Sequence, residues 1–188
     1  MIVQRVLRLP PLREQRGYAL TELVTVLAIL TIVLGGLTAL FVSATRAEVD
    51  MRKRFDAQQE ARLAIDALRR EVHCASAITP SVPSPTVTLT LPSGCPASFG
   101  STSVTWCTVN VATGRHKLYR KAGSTCDSAG KLYADYITLA NAFTYTAPTA
   151  SNRAKLHVEF PVDVDFGDTI PSYTLVDDLI LRNTSPTG

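Results

Sequence analysis

Hydrophobic and polar positions along this chain follow three regimes in succession. From Leu23 to Thr45 no side chain is ionisable over 23 residues, a run that predicts a helix able to cross a bilayer, for which about 20 apolar residues suffice. Past Thr45 apolar residues return every three or four positions, at Met51, Phe55, Ala61, Ile65, Leu68, Val72 and Ala75. This spacing draws a stripe along a second stretch of helix. Acids placed four residues before bases, in Glu48/Arg52, Asp50/Arg54 and Asp66/Arg70, each support that helix by roughly 0.2–0.5 kcal/mol. One continuous helix is therefore expected from about Ala19 to Val72, roughly 80 Å long at 1.5 Å per residue. The prolines of Pro-Ser-Val-Pro-Ser-Pro at 80–85 cannot continue it.

Downstream the period becomes two. Segments 86–91, 103–111, 115–121, 133–145, 153–164 and 173–181 are rich in Val, Thr, Tyr and Leu and bounded by Gly, Pro, Ser or Asn, so they predict five or six antiparallel strands. Ala112-Thr113-Gly114 is a short turn between the second and third. The expected fold class is α+β: a long N-terminal helix, transmembrane over 18–45 and amphipathic over 46–78, packed on an antiparallel sheet formed by 79–188.

Charge adds topology to this picture. The first 17 residues hold Arg5, Arg8, Arg13 and Arg16 against Glu14, or 4 − 1 = +3, which equals the formal charge of the whole chain. The remainder is neutral, so the basic balance argues for a cytoplasmic N-terminal flank under the positive-inside rule and gives no ground for a globally nucleic-acid-binding protein. All four cysteines, Cys74, Cys95, Cys107 and Cys126, follow the apolar run, and none forms a Cys-x-x-Cys pair. An even count on the exported side suggests two disulfides, with three possible connectivities. If the first three strands form a meander, Cys95 and Cys126 emerge at one end of the sheet, with Cys74 and Cys107 towards the other. The expected pairs are Cys74 with Cys107 and Cys95 with Cys126.

Glu22 is the feature that composition alone does not explain. A carboxylate inside a membrane-length helix is costly unless something pairs with it. A cut between Gly17 and Tyr18 would supply an amine four residues away, on this copy and on every neighbouring one. The stretch Arg16-Gly17-Tyr18-Ala19-Leu20-Thr21-Glu22-Leu23 resembles the prepilin leader of type IV pilins and type II secretion pseudopilins: a basic leader, glycine before the cut, an aromatic or apolar first residue, and glutamate fifth. The resemblance implies cleavage by a prepilin peptidase after residues 1–17, N-methylation of Tyr18, and assembly into a filament in which Glu22 neutralises the terminal amine of an adjacent subunit. It also implies an inner-membrane, single-pass precursor with its head outside the cytoplasm, other pilin or pseudopilin subunits as partners, and lipid as the surrounding before assembly. The lack of a proline in the apolar helix and the Leu68-Arg69-Arg70-Glu71-Val72 ending are similar to minor subunits. An ordinary secretory signal ending at Val42-Ser43-Ala44 fits less well, because its apolar core would be about 7–15 residues. A plain signal anchor fits the length but gives Glu22 no role.

Candidate chemistry in the head is sparse. His73, His116 and His157 share no ligand spacing, and no Gly-x-Ser-x-Gly, phosphate-cradling loop or His-Glu-x-x-His occurs. Neither a catalytic constellation nor a cofactor is expected. Asp163, Asp165 and Asp168 could offer oxygens to Ca²⁺, which takes six to eight, although solvated turn residues suit them equally. Arg115, Lys117, Arg120 and Lys121, near Trp106 and Tyr119, could grip DNA phosphates and stack on bases; the plainer reading is the polar side of a strand. The competing class to a filament subunit is an anchored binding protein whose head takes DNA or a surface ligand without polymerising.

Overall fold

A computed structural model of the chain describes residues 19–95, 101–165 and 173–183. One helix, α1 (Leu20–Cys74), is followed by eight strands: β1 (Ala77–Thr79), β2 (Thr86–Thr90), β3 (Ser103–Ala112), β4 (Arg115–Ala122), β5 (Lys131–Ile137), β6 (Phe143–Thr146), β7 (Lys155–Val162) and β8 (Tyr173–Ile180). The fold is α+β, with the helix packed on a curled, wholly antiparallel sheet. Two compact units divide the chain, Met1–Glu48 and Val49–Gly188, so the boundary falls inside α1.

In the first unit, α1 buries no residue between Leu20 and Glu48. In the second, Ala57, Ala61, Ala64, Ile65, Ala67, Leu68, Glu71 and Val72 are buried. Four alanines on this face let the sheet approach the helix backbone, while Leu68 and Val72 fill the space between. Met51 and Phe55 lie elsewhere, at 71% and 65% exposure, contrary to the stripe expected from spacing. The step of six from Phe55 to Ala61 turns the helix by about 240° at 3.6 residues per turn, which takes Phe55 off the buried face.

Neighbouring strands run β1-β2-β3-β4-β5-β7-β6, and β8 pairs with the other side of β7. β7 is the hub: its full length pairs with β8, Lys155–Val158 pair with β6, and Val162 alone pairs with Ile137 of β5. The helix-facing core collects Trp106, Phe143, Phe160, Leu89, Leu118, Leu156, Leu179 and Leu181, all under 2% exposed. Phe143 and Phe160 meet edge to face with centroids 6.0 Å apart, an arrangement that aromatic quadrupoles favour.

Two features of the sheet differ from expectation. The segment 133–145 is two strands instead of one, with Tyr136 at φ 63° near the break; a left-handed residue interrupts the pleat, and the chain leaves β4 to join β7 as β6. The three-residue β1, too short to show a period, precedes the first expected strand. It reverses the chain once more, so that Ala77 lies opposite Thr90.

That reversal decides the disulfides. Cys74 pairs with Cys95 and Cys107 with Cys126, so the expected pairs Cys74–Cys107 and Cys95–Cys126 are corrected. Cys74 enters β1 at the end of the sheet where β2 leaves for Cys95. Cys107 sits in the middle of β3 opposite Tyr119 of β4, and the segment after β4 folds back over those strands, bringing Cys126 beside the Tyr119 carbonyl. Gly130 ends that fold-back; a Cβ there would stand 2.8 Å from the Arg120 carbonyl oxygen, so only glycine fits without displacement. Loops of 21 and 19 residues correspond to about 3 kcal/mol each in chain entropy removed from the unfolded state.

Candidate functional site

The apolar helix and the head carry separate candidate chemistries. Glu22 lies in the first turn of α1, where its amide donates to the Ala19 carbonyl at 2.8 Å. The positive end of the helix dipole favours an acid at this position. Gly17 and Tyr18, the expected processing and N-methylation positions, lie outside the described residues.

The segment's other polar side chains turn inward on their own helix. Thr25, Thr31, Thr38 and Ser43 donate to the carbonyls of Glu22, Ala28, Leu34 and Leu40 at 2.8–2.9 Å, and Thr45 donates to Phe41 and Val42. Such back-bonding satisfies hydroxyls where no water is present. By length and composition α1 is apolar enough to cross a membrane.

In the head, the best-defined polar cluster is one that periodicity did not single out. Glu71 is 4% exposed, accepts from Trp106 Nε1 at 2.6 Å and from Arg120 Nε at 2.6 Å, and so ties the helix to β3 and β4. Burial pushes its carboxyl above the usual range, and the hydrogen bonds from Trp106 and Arg120 only partly offset this. The available signal was positional: Glu71 follows Leu68 by three and precedes Ala75 by four, on the apolar stripe itself. Trp106 also stacks on Tyr133 with centroids 4.6 Å apart. Fully buried, it has no face for a nucleic-acid base.

The four basic residues considered for DNA do not share a surface. Arg120 points to the helix side with Glu71. Arg115 binds Asp135 through Nε at 3.1 Å and Nη2 at 2.8 Å, Lys117 reaches the same carboxylate at 3.0 Å, and Lys121 pairs with Asp127 at 2.7 Å. Burial alone would raise the Asp135 carboxyl, but hydrogen bonds from Arg115, the Tyr136 amide and Lys117 outweigh it and hold the group below its ordinary value. Each cation therefore meets an acid of this chain at hydrogen-bonding distance.

The acids considered for Ca²⁺ are also engaged. Asp163 lies just past the end of β7, 3% exposed, where its Oδ1 accepts the Asp165 amide at 3.0 Å, a local turn bond typical of Asp. Asp165 faces Arg54 at 3.3 Å, and Asp168 lies outside the described residues. Among the described residues no three His, Cys, Asp or Glu side chains cluster as metal ligands would. His157 Nδ1 sits 2.7 Å from Asp178, while His116 is buried with its Nδ1 lacking a hydrogen-bond partner in the structure. Compared with known proteins, the chain matches no family model, no curated protein and no solved structure.

Proposed function

We propose that this chain is a structural subunit, a minor pilin or minor pseudopilin, of a type IV pilus or type II secretion-like filament. The reading is supported chiefly by one observation: an acid in the first turn of a helix whose apolar half buries nothing of itself. A helix that exposes leucine all round needs lipid or other helices as its surroundings. The acid needs a cation once water is gone.

On this reading a prepilin peptidase removes residues 1–17, Tyr18 becomes the methylated terminus, and the subunit waits in the inner membrane with its sheet outside the cytoplasm. Assembly moves the Leu23–Val42 stretch from lipid into contact with neighbouring helices. The contact from Glu22 to the next subunit's amine then sets axial register, because an unmatched charge is costly in either environment. The role is structural rather than catalytic.

Mass spectrometry of the mature protein tests the first step. N-methyl-Tyr18 at the terminus is the expected result, and a start at Met1 or Thr45 would overturn the reading. Glu22→Ala should leave processing and insertion intact while lowering the subunit's recovery in sheared filaments more than tenfold.

A further inference from the structure

The apolar half of α1 is sorted by side-chain size. Leu23, Leu27, Leu30, Leu34, Leu37 and Phe41 succeed one another at steps of four and three, which keeps them on one ridge, and all six are exposed. The residue two positions before each lies about 200° around the axis. Those residues are Thr21, Thr25, Ala28, Ile32, Gly35 and Ala39, small in every case but Ile32. A shallow groove runs along this opposite face beside Gly35, Ala39 and Arg46.

Lipid gives no reason for the sorting, since hydrocarbon receives Leu, Val and Ile alike. Nor does the fold of the chain: a Cβ added at Gly35 or Gly36 would meet nothing within 4 Å, yet glycine within a helix is less favourable than alanine. The charges respect the same two faces. Glu48 prolongs the ridge, seven residues after Phe41, and Arg46 prolongs the furrow, seven residues after Ala39.

We infer that the ridge of one copy seats in the furrow of a second, parallel copy, with Leu37 over Gly35, Phe41 over Ala39, and Glu48 beside Arg46. This rests on the filament reading and adds which faces meet and at what level. Small residues let the backbones approach, which is what drives helix association where no hydrophobic term exists. Because ridge and furrow occupy opposite sides of one helix, a copy that seats its ridge leaves its furrow open. The contact is heterologous and propagates, whereas a ridge-to-ridge contact would close as a pair.

Cysteine cross-linking in membranes of cells producing the full chain tests the geometry. Ala39→Cys and Phe41→Cys, carried on two differently tagged copies and oxidised together, should give mixed dimers about tenfold in excess of either like-with-like dimer. Predominance of the Phe41→Cys self-pair, or equal yields of all three, would overturn the inference. Arg46→Glu and Glu48→Arg should each lower the cross-linked fraction of the cysteine pair about fivefold, and the double swap should restore it to within twofold. A double swap no better than the singles would equally overturn it. Filaments that form with only self-paired Phe41→Cys would refute the seating and leave the filament reading standing; mixed dimers from a chain whose leader is never removed would do the reverse.

Discussion

The two parts of α1 share one backbone geometry and differ in everything that surrounds it. Residues before Val49 bury nothing, whereas those after it bury eight side chains including an acid. The comparison shows that helical hydrogen bonding and burial are separable: the first part has its backbone and hydroxyls satisfied internally, and takes its packing from outside the chain. The second part is stabilised by its own sheet. Substitutions at the same kind of residue should therefore have opposite readouts, stability in one part and membrane or assembly behaviour in the other.

The largest effect is expected where the helix is tied to the sheet. Glu71→Ala leaves Arg120 without its buried carboxylate and the Trp106 N–H without its acceptor, and should cost about 3–5 kcal/mol. Because Trp106 is the one tryptophan of the chain, its fluorescence during urea unfolding of the full chain in detergent reports the loss directly. Next, Leu68→Ala, at a fully buried position, should cost about 2–5 kcal/mol. Leu30→Ala, at an exposed position of the first part, should leave the same unfolding curve within about 0.5 kcal/mol. A comparable loss from Leu30 would break the distinction.

Removing Cys107–Cys126 by paired Ser substitution should lower head stability by about 3 kcal/mol, the entropy of its loop, with no change in membrane insertion. Acid titration probes smaller terms of opposite sign. Asp135 is held below its ordinary value of 3.8, so its contribution is present above that value and lost as pH falls through the depressed one. Asp135→Asn should flatten the acid limb of the stability curve. Glu71 is held above its ordinary value, so its contribution is fully present at low pH and lost as pH rises through the raised value. Glu71→Gln should remove that loss. The smallest effect belongs to Phe55→Ala, which should shift the unfolding midpoint by less than about 0.5 kcal/mol.

Much of this architecture was legible because it is periodic. The 3.6-residue repeat and the later alternation place α1 and β2, β3, β4, β7 and β8 within a few residues of their observed bounds. What escaped has a local physical cause in each case. β1 has three residues, fewer than a period needs, and it alone reverses the chain so that Cys74 meets Cys95. Tyr136 breaks a long β-type segment through its backbone angle, which composition does not encode. Phe55 looked like core because steps of three and four accumulate error, and one step of six carried it round the helix. Glu71 was passed over because an acid on an apolar stripe reads as a surface residue until a buried Trp106 and Arg120 are known to face it. In the candidate site, the basic residues of β4 were identifiable, but not the acids awaiting them, since Asp135 and Asp127 arrive through pairings and fold-backs that spacing does not reveal.

The last strand carries an order of events. β8 pairs along the whole of β7, Leu179 and Leu181 complete the core, and Asn183 Nδ2 donates to the Cys74 carbonyl at 2.7 Å, capping the final turn of α1 from 109 residues away. In a chain exported from its N-terminus, the helix would emerge first and its cap last. A product arrested or clipped before Tyr173 would then present Leu156, Phe160 and the open end of α1 to proteases, so that only complete copies survive to be recruited.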